Sequence, residues 1–432
     1  MKILTNQYEN LLSKARVAYA NKRYEEAIKL AKTIIQFNKT KSEAYIIAGN
    51  AYLLLNNLVN AKEMYQQAIV LDNTNGEYYF LLGNVYLGEA DYTLVIESYA
   101  KAEAYGVSDD IKQKIYYVLG NINQVHGQDQ EALLNYQKAG EIKGNNDQRI
   151  DILLNQLEIY VNQNDFIEAE ITARSLKMIA PDVYNHYHLL FQILLQLNKM
   201  VDALEILNEA KVLFKEHKDI IEITFDEILF NVHQVSLTHQ DKYYYQAIEL
   251  LDSIKPLDIE KDIAYEKAIT KAEILLRLKK IDEAIEVLET IADLEDEVFV
   301  NYIERARLDL MNAYIEVKKY KRAIIYAIQL KRSDDLNIRH IAHYYEAYAT
   351  LEMSKKETSF KKDVDKLYRQ VIAYFRNASA SDPNDLVALV YRAKAYCDVG
   401  QFEKAEKLGH ILPEEAQRLV DEYILENGGI VS

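Results

Sequence analysis

The stretch Tyr45-Ile46-Ile47-Ala48-Gly49-Asn50-Ala51-Tyr52 returns thirty-four residues later as Tyr79-Phe80-Leu81-Leu82-Gly83-Asn84-Val85-Tyr86. Each copy is followed by the same downstream set, Ala61, Tyr65 and Ala68 after the first and Val95, Tyr99 and Ala102 after the second. A third copy runs Tyr116, Leu119-Gly120-Asn121, Ala132, Tyr136 and Ala139, displaced by 37 residues because the loop before it carries Gly106 to Asp110. A fixed period of this length marks a repeat array, in which each unit buries its apolar face against its neighbours. The spacing predicts two helices per period. Gly49 and Ala61 are small where the helices of one hairpin cross, and Tyr52 and Tyr65 fill the space around the crossing. Short polar turns such as Asn56-Asn57 and Gly127-Gln128-Asp129 reverse the chain between them.

Composition points the same way. The 432 residues exceed a usual single core, a limit that a repeat array escapes. Hydrophobic residues make up 49% while glycine numbers 13 and proline 4, too few for the turns and corners of sheets, so the chain reads as all-helical. A net charge of −16 without a long Lys/Arg block argues against a nucleic-acid partner. The single Cys397 rules out an internal disulfide framework and a Cys-based zinc site, and fits a reducing compartment. Met1 to Lys14 is polar and lacks the apolar core of a secretory signal. The most apolar stretch, Leu189 to Leu197, is broken by Gln192 and Gln196 and falls short of the ~20 residues of a membrane span. A soluble, cytoplasmic protein without membrane insertion is expected. The richness in Ile, Lys, Asn and Tyr (34 copies, with no Trp) suggests an AT-rich, low-GC bacterial source.

The order aromatic, Leu-Gly, Tyr, turn, Ala, Tyr, Ala resembles the tetratricopeptide repeat family, most strongly over residues 40–142. Upstream, Ala15, Tyr24, Ala27 and Ala31 fit a first copy. Downstream the resemblance continues through Tyr160, Phe166, Ala169 and Pro181, then Phe191 and Ala203, Tyr244 and Ala247, Ala272, Ile281 and Ala284, and Tyr314, Tyr320 and Ala323. The penultimate unit is the least regular, with Tyr348 in its first helix and a lysine-bearing insertion around Ser354 to Lys366. The last is clear again at Ala393, Tyr396, Gly400, Phe402 and Ala405. The resemblance implies an all-α, right-handed superhelical solenoid of about eleven helix-turn-helix repeats. The array is regular over residues 1–145 and degenerate over 146–412, continuing the same solenoid. Pro413-Glu414-Glu415 then opens a helix over 413–427 whose Leu419, Val420, Tyr423 and Ile424 form one stripe; it is expected to cap the array and end it naturally.

In this family the first helix of each hairpin faces a concave groove, so the resemblance places binding residues there. Asn50, Asn84 and Asn121 follow the motif glycine in three consecutive units. A carboxamide carries both an acceptor and a donor and can pair with a peptide backbone of any sequence, each bond netting about 0.5–1.5 kcal/mol. Ile46, Phe80 and Tyr117, four residues earlier, share that face and would line side-chain pockets. Gly-Asn is also a frequent consensus pair of the family. The carboxylate clamp of chaperone-binding members is disfavoured, because Ile46, Ile47, Phe80 and Leu81 occupy most of its positions; Lys114 alone stands where a clamp lysine would. The surplus tyrosines Tyr78, Tyr117 and Tyr243-Tyr244-Tyr245 suit an interface surface.

Catalytic motifs are missing: there is no glycine-rich phosphate loop, no His-Glu-x-x-His and no Gly-x-Ser-x-Gly. His340 and His343 have metal-ligand spacing but no second pair beside them in the sequence. Cys397 reads as packing and the acidic run Asp293 to Glu297 as a solvated loop. The expectation is a non-enzymatic scaffold, without cofactor or metal, that binds an extended peptide or partner protein. The alternative is a bacterial signalling-peptide (pheromone) receptor or regulator. It is disfavoured because the first repeat begins near residue 8, leaving no room for an N-terminal effector module.

Overall fold

The computed structural model describes residues 2–142, 146–215, 217–255, 260–355 and 361–431. Among them are twenty-three α-helices and no strand. The chain divides into two compact units, Met1–Asp219 and Ile220–Ser432. The first holds six antiparallel hairpins: α1 (Lys2–Ala20) with α2 (Tyr24–Phe37), α3 (Ser42–Leu54) with α4 (Leu58–Leu71), α5 (Gly76–Gly88) with α6 (Tyr92–Tyr105), α7 (Asp109–Val125) with α8 (Asp129–Glu141), α9 (Asn146–Asn162) with α10 (Phe166–Ile179), and α11 (Tyr184–Gln196) with α12 (Met200–Leu213). The second holds α13 (His217–Thr238) with α14 (Lys242–Ser253), α15 (Lys261–Arg277) with α16 (Ile281–Ala292), α17 (Val300–Glu316) with α18 (Tyr320–Leu330), α19 (Leu336–Ser354) with α20 (Lys361–Ser381), and α21 (Leu386–Asp398) with α22 (Phe402–Gly409). The single helix α23 (Glu414–Glu426) follows.

One turn design recurs within the hairpins. Lys22, Asn56, Ala90, Gly127, Asn164, Asn198, Lys279, Lys318 and Gly400 all lie at φ between +55° and +75°. The next residue's N–H then reaches back five positions, Asn57 to the Tyr52 carbonyl at 2.8 Å and Asp91 to the Tyr86 carbonyl at 3.0 Å. This left-handed C-cap satisfies the last carbonyls of the first helix and ends it. In several hairpins the residue after it caps the second helix, as Asn57 accepts from the Asn60 N–H at 3.2 Å and Asp91 from the Leu94 N–H at 3.1 Å. Glycine occupies only two of these nine positions; elsewhere the sequence tolerates strain that a fixed register imposes. The seventh hairpin departs, its left-handed His239 lying three residues further from the anchor Ala247, in step with the 44 residues that separate Ala203 from Ala247.

Five residues after each of the nine turn residues comes a fully buried small anchor: Ala27, Ala61, Val95, Ala132, Ala169, Ala203, Ala284, Ala323 and Ala405. The irregular tenth hairpin has one too. Val364, Tyr368 and Val371 of α20 are buried and stand to one another as Ala61, Tyr65 and Ala68 do. The insertion expected to reach Lys366 is therefore shorter, because α20 already runs from Lys361; residues 356–360 lie outside the described residues. In α23, Val420 and Ile424 are buried against Leu389, Ala393, Ala405 and Leu412. Leu419, expected in the same stripe, is instead 56% exposed, since it sits a turn's edge away from the Val420–Ile424 line. No helix among the described residues is long and apolar enough to cross a membrane.

Candidate functional site

The three motif glycines lie under tyrosine rings. A Cβ added at Gly49 would come within 2.5 Å of Tyr65 Cε1, and one at Gly83 within 2.5 Å of Tyr99 Cε1; Gly120 stands in the same relation to Tyr136. Each ring continues to the neighbouring asparagine. The Tyr65 hydroxyl donates to Asn50 Oδ1 at 2.6 Å, that of Tyr99 to Asn84 Oδ1 at 2.7 Å, and that of Tyr136 lies 2.7 Å from Asn121 Oδ1. Glycine and asparagine are thus two halves of one receptor for a buried phenol, the first giving the ring room and the second taking its hydroxyl. Burial pushes all three phenols up, Tyr136 to about 12, so each keeps the proton it donates.

The side chains four residues before each asparagine flank the same rings. Phe80 stacks on Tyr99 with centroids 5.7 Å apart, Tyr117 tilts against Tyr136 at 6.2 Å, and Ile46 packs on the cluster that contains Tyr65. All six expected site residues are half-buried on first helices. The acceptor half of each carboxamide is occupied from within. The amide groups of Asn50 and Asn84 have no hydrogen-bond partner among the described residues. At Asn121 the arrangement extends further: Asn155 Nδ2 donates to Asn121 Oδ1 at 3.0 Å and to the Tyr136 hydroxyl at 3.2 Å, and Gln124 Oε1 lies 2.7 Å from that hydroxyl. The tyrosines were legible only as packing; the constant 15-residue step from asparagine to tyrosine is the signal that couples them. Flanking units lack the device: the first hairpin has Ala15, Arg16 and Ala31 at these places, and Arg16 pairs with Glu43.

Neighbouring candidates resolve into structural contacts. Lys114 is engaged by Asp110 at 2.7 Å, and the Tyr78 hydroxyl donates to Ser42 Oγ at 2.9 Å, joining α5 to α3. In the second unit His340 is fully buried with both ring nitrogens in use, Nδ1 2.8 Å from the Tyr374 hydroxyl and Nε2 2.8 Å from Asp385 Oδ2. His343 stacks on Tyr374, and burial beside Lys331 lowers it to about 4. No group of three or more His, Cys, Asp or Glu among the described residues could hold a metal. Cys397 is buried, and burial with Asp398 beside it pushes its thiol up to about 12, away from thiolate chemistry. Of the acidic run, Asp293 accepts from the Tyr326 hydroxyl at 3.2 Å and Asp296 from the Val298 N–H at 3.1 Å.

No family model matches the chain. A tetratricopeptide repeat-containing protein of Bacillus subtilis (strain 168), YpiA, is 30% identical over 110 residues, covering 25% of this chain and 26% of that protein. The chain thus spans about a quarter of the length of this curated relative. Among solved structures, YrrB, described as a repeat protein with an unusual peptide-binding site, is 22% identical at a TM-score of 0.35, covering 44% of this chain and 96% of that one. MamA is 20% identical at 0.36, covering 42% and 94%. The C-terminal part of a repeat-containing protein from Cytophaga hutchinsonii is 13% identical at 0.43, covering 57% and 97%. With its 34-residue frame, its eleven helical hairpins, nine of them turning on one left-handed position, and a curated relative of the same kind over 110 residues, the chain is similar to tetratricopeptide repeat proteins.

Proposed function

We propose that the chain is a non-catalytic scaffold whose first-helix face over hairpins two to four binds an extended segment of a partner protein. The observation that carries this reading is the identical setting of Asn50 and Asn84. Each carboxamide is anchored through its oxygen to a buried phenol, leaving its NH₂ without a partner among the described residues. A fixed amide donor in the same place on successive first helices suits the carbonyl oxygens of an extended backbone, and it gives direction because the acceptor half is already taken. Each such bond nets only about 0.5–1.5 kcal/mol, so the apolar walls at Ile46, Phe80 and Tyr117 supply most of the affinity.

The test separates binding from folding. Replacing Asn50, Asn84 and Asn121 by alanine alone would strand three buried phenols, so the variant should also carry Tyr65→Phe, Tyr99→Phe and Tyr136→Phe. Wild type and this variant, matched by circular dichroism, are compared in pull-downs from a low-GC bacterial lysate read by mass spectrometry. A partner kept by the wild type and lost by the variant supports the reading; the same partners on both would place binding elsewhere.

A further inference from the structure

The outer faces of α10 and α12 carry a row of large apolar side chains that nothing in the unit covers. Ile167, Ile171 and Met178 lie within about 40° of one another on α10, by the helical step of 100° per residue, and are 67%, 55% and 82% exposed. On α12, Val201 and Val212 occupy the corresponding register and are 81% and 67% exposed. The two helices are bridged by Arg174–Asp202 at 3.1 Å, and Lys199, the residue before α12, reaches Glu170 at 2.6 Å. Single exposed apolar residues are ordinary, but exposed apolar side chains repeated in the same register on two bridged helices mark an interaction surface. Cations near the row are neutralised from within, Arg174 by Glu170 and Asp202 and Lys177 by Glu209. Glu168 and Glu205 have no ion-pair partner among the described residues, which leaves the surface net negative.

Charge is distributed unevenly within this same unit. Residues 1–41 hold nine Lys or Arg against three Glu, whereas residues 42–219 hold thirteen against twenty-five Asp or Glu. In the register that is Ile167, Ile171, Arg174, Met178 on α10, the first hairpin has Glu25, Lys29, Lys32, Gln36. At the end of α2, Phe37 is 77% exposed and is followed by Lys39 and Lys41. An exposed aromatic set among lysines is the complement of an exposed apolar row set among carboxylates.

We propose that the apolar row on α10 and α12 is the docking surface for the basic first hairpin of a second copy of this chain. The two surfaces are different patches of one molecule, so the contact is heterologous: each copy joined leaves one surface of each kind free, and assembly continues unless it closes into a ring. The test is sedimentation velocity of the full chain over a concentration series at low and high salt. Two variants are made at exposed positions, Met178→Asp/Val201→Asp and Phe37→Asp/Lys39→Glu, with circular dichroism as the folding control. The wild type is expected to exceed the monomer mass of 50.1 kDa at low salt and to fall back to it at high salt. Each variant alone stays monomeric. Mixed, they form a pair of twice the monomer mass that does not grow, because each supplies the surface the other lacks. A wild type that stays monomeric throughout, variants that assemble as the wild type does, or a mixture without the pair would each overturn the proposal.

Discussion

Gly83→Ala is the substitution whose sign depends most directly on the ring-over-glycine arrangement. In an ordinary exposed helix interior, alanine for glycine is favourable by about 1 kcal/mol. Here the new Cβ would stand 2.5 Å from Tyr99 Cε1 and 2.7 Å from Cδ1, where carbon contacts prefer about 3.5–4.0 Å. The ring must retreat by about 1 Å, an overpacking cost of roughly 1–3 kcal/mol. Retreat also stretches the 2.7 Å bond to Asn84, worth about 1 kcal/mol. The net expectation is a loss of about 1–2 kcal/mol. In a Tyr99→Leu background the ring is gone, and the same substitution should stabilise by up to about 1 kcal/mol, a coupling of roughly 2 kcal/mol. The chain already uses that combination, since Ala272 and Leu288 stand at these places in the eighth hairpin. Because repeat arrays open locally, the readout is amide hydrogen exchange in α5 and α6 alongside urea unfolding. Stabilisation by Gly83→Ala in the wild-type background would refute the steric reasoning.

Further expectations concern the same devices. Asn84→Ala should cost about 1–3 kcal/mol by leaving the buried Tyr99 hydroxyl unpaired, and adding Tyr99→Phe should restore much of it; thermal unfolding of the single and double variants checks this. Ala90→Gly should stabilise by about 0.5–1 kcal/mol, since Ala90 is held at φ +57° where a Cβ is strained; a lower urea midpoint would count against it. Asp309 is held up to about 6 by burial and by Glu273, and its Oδ2 has no hydrogen-bond partner among the described residues. The folded state then binds more protons than the unfolded one between about pH 4 and 6, so stability falls as pH rises through that window. Asp309→Asn should match the wild type near pH 4 and exceed it at pH 7 by on the order of 2–3 kcal/mol. Parallel melting curves across pH would show that Asp309 carries no such penalty.

The sequence reveals the hairpins wherever periodicity and small residues coincide, and the anchors from Ala27 to Ala323 all proved buried. It is less informative where identity changes but register persists. Val364, Tyr368 and Val371 keep the anchor spacing with a larger first residue, so their hairpin hid behind a lysine-rich stretch. Leu419 misleads in the other direction, since an apolar residue adjoining a buried stripe looks like part of it. At the candidate site, the asparagines and their apolar neighbours were legible from position alone, but the hydroxyl that fixes each carboxamide was not. That contact joins residues on different helices, and only the repeated 15-residue step betrays it. The relay through Tyr374, His340 and Asp385 had no such repetition to expose it.

The measurement that bears most directly on groove binding places a photo-reactive phenylalanine analogue at Phe80, on the first-helix face, and separately at Ile96, on the outer face of α6. Crosslinking is done in cells and the adducts are mapped by mass spectrometry. The expected result is one defined segment of a partner joined to position 80 and absent from position 96. Adducts from position 96 with none from position 80 would contradict the proposal that the partner lies along the first helices.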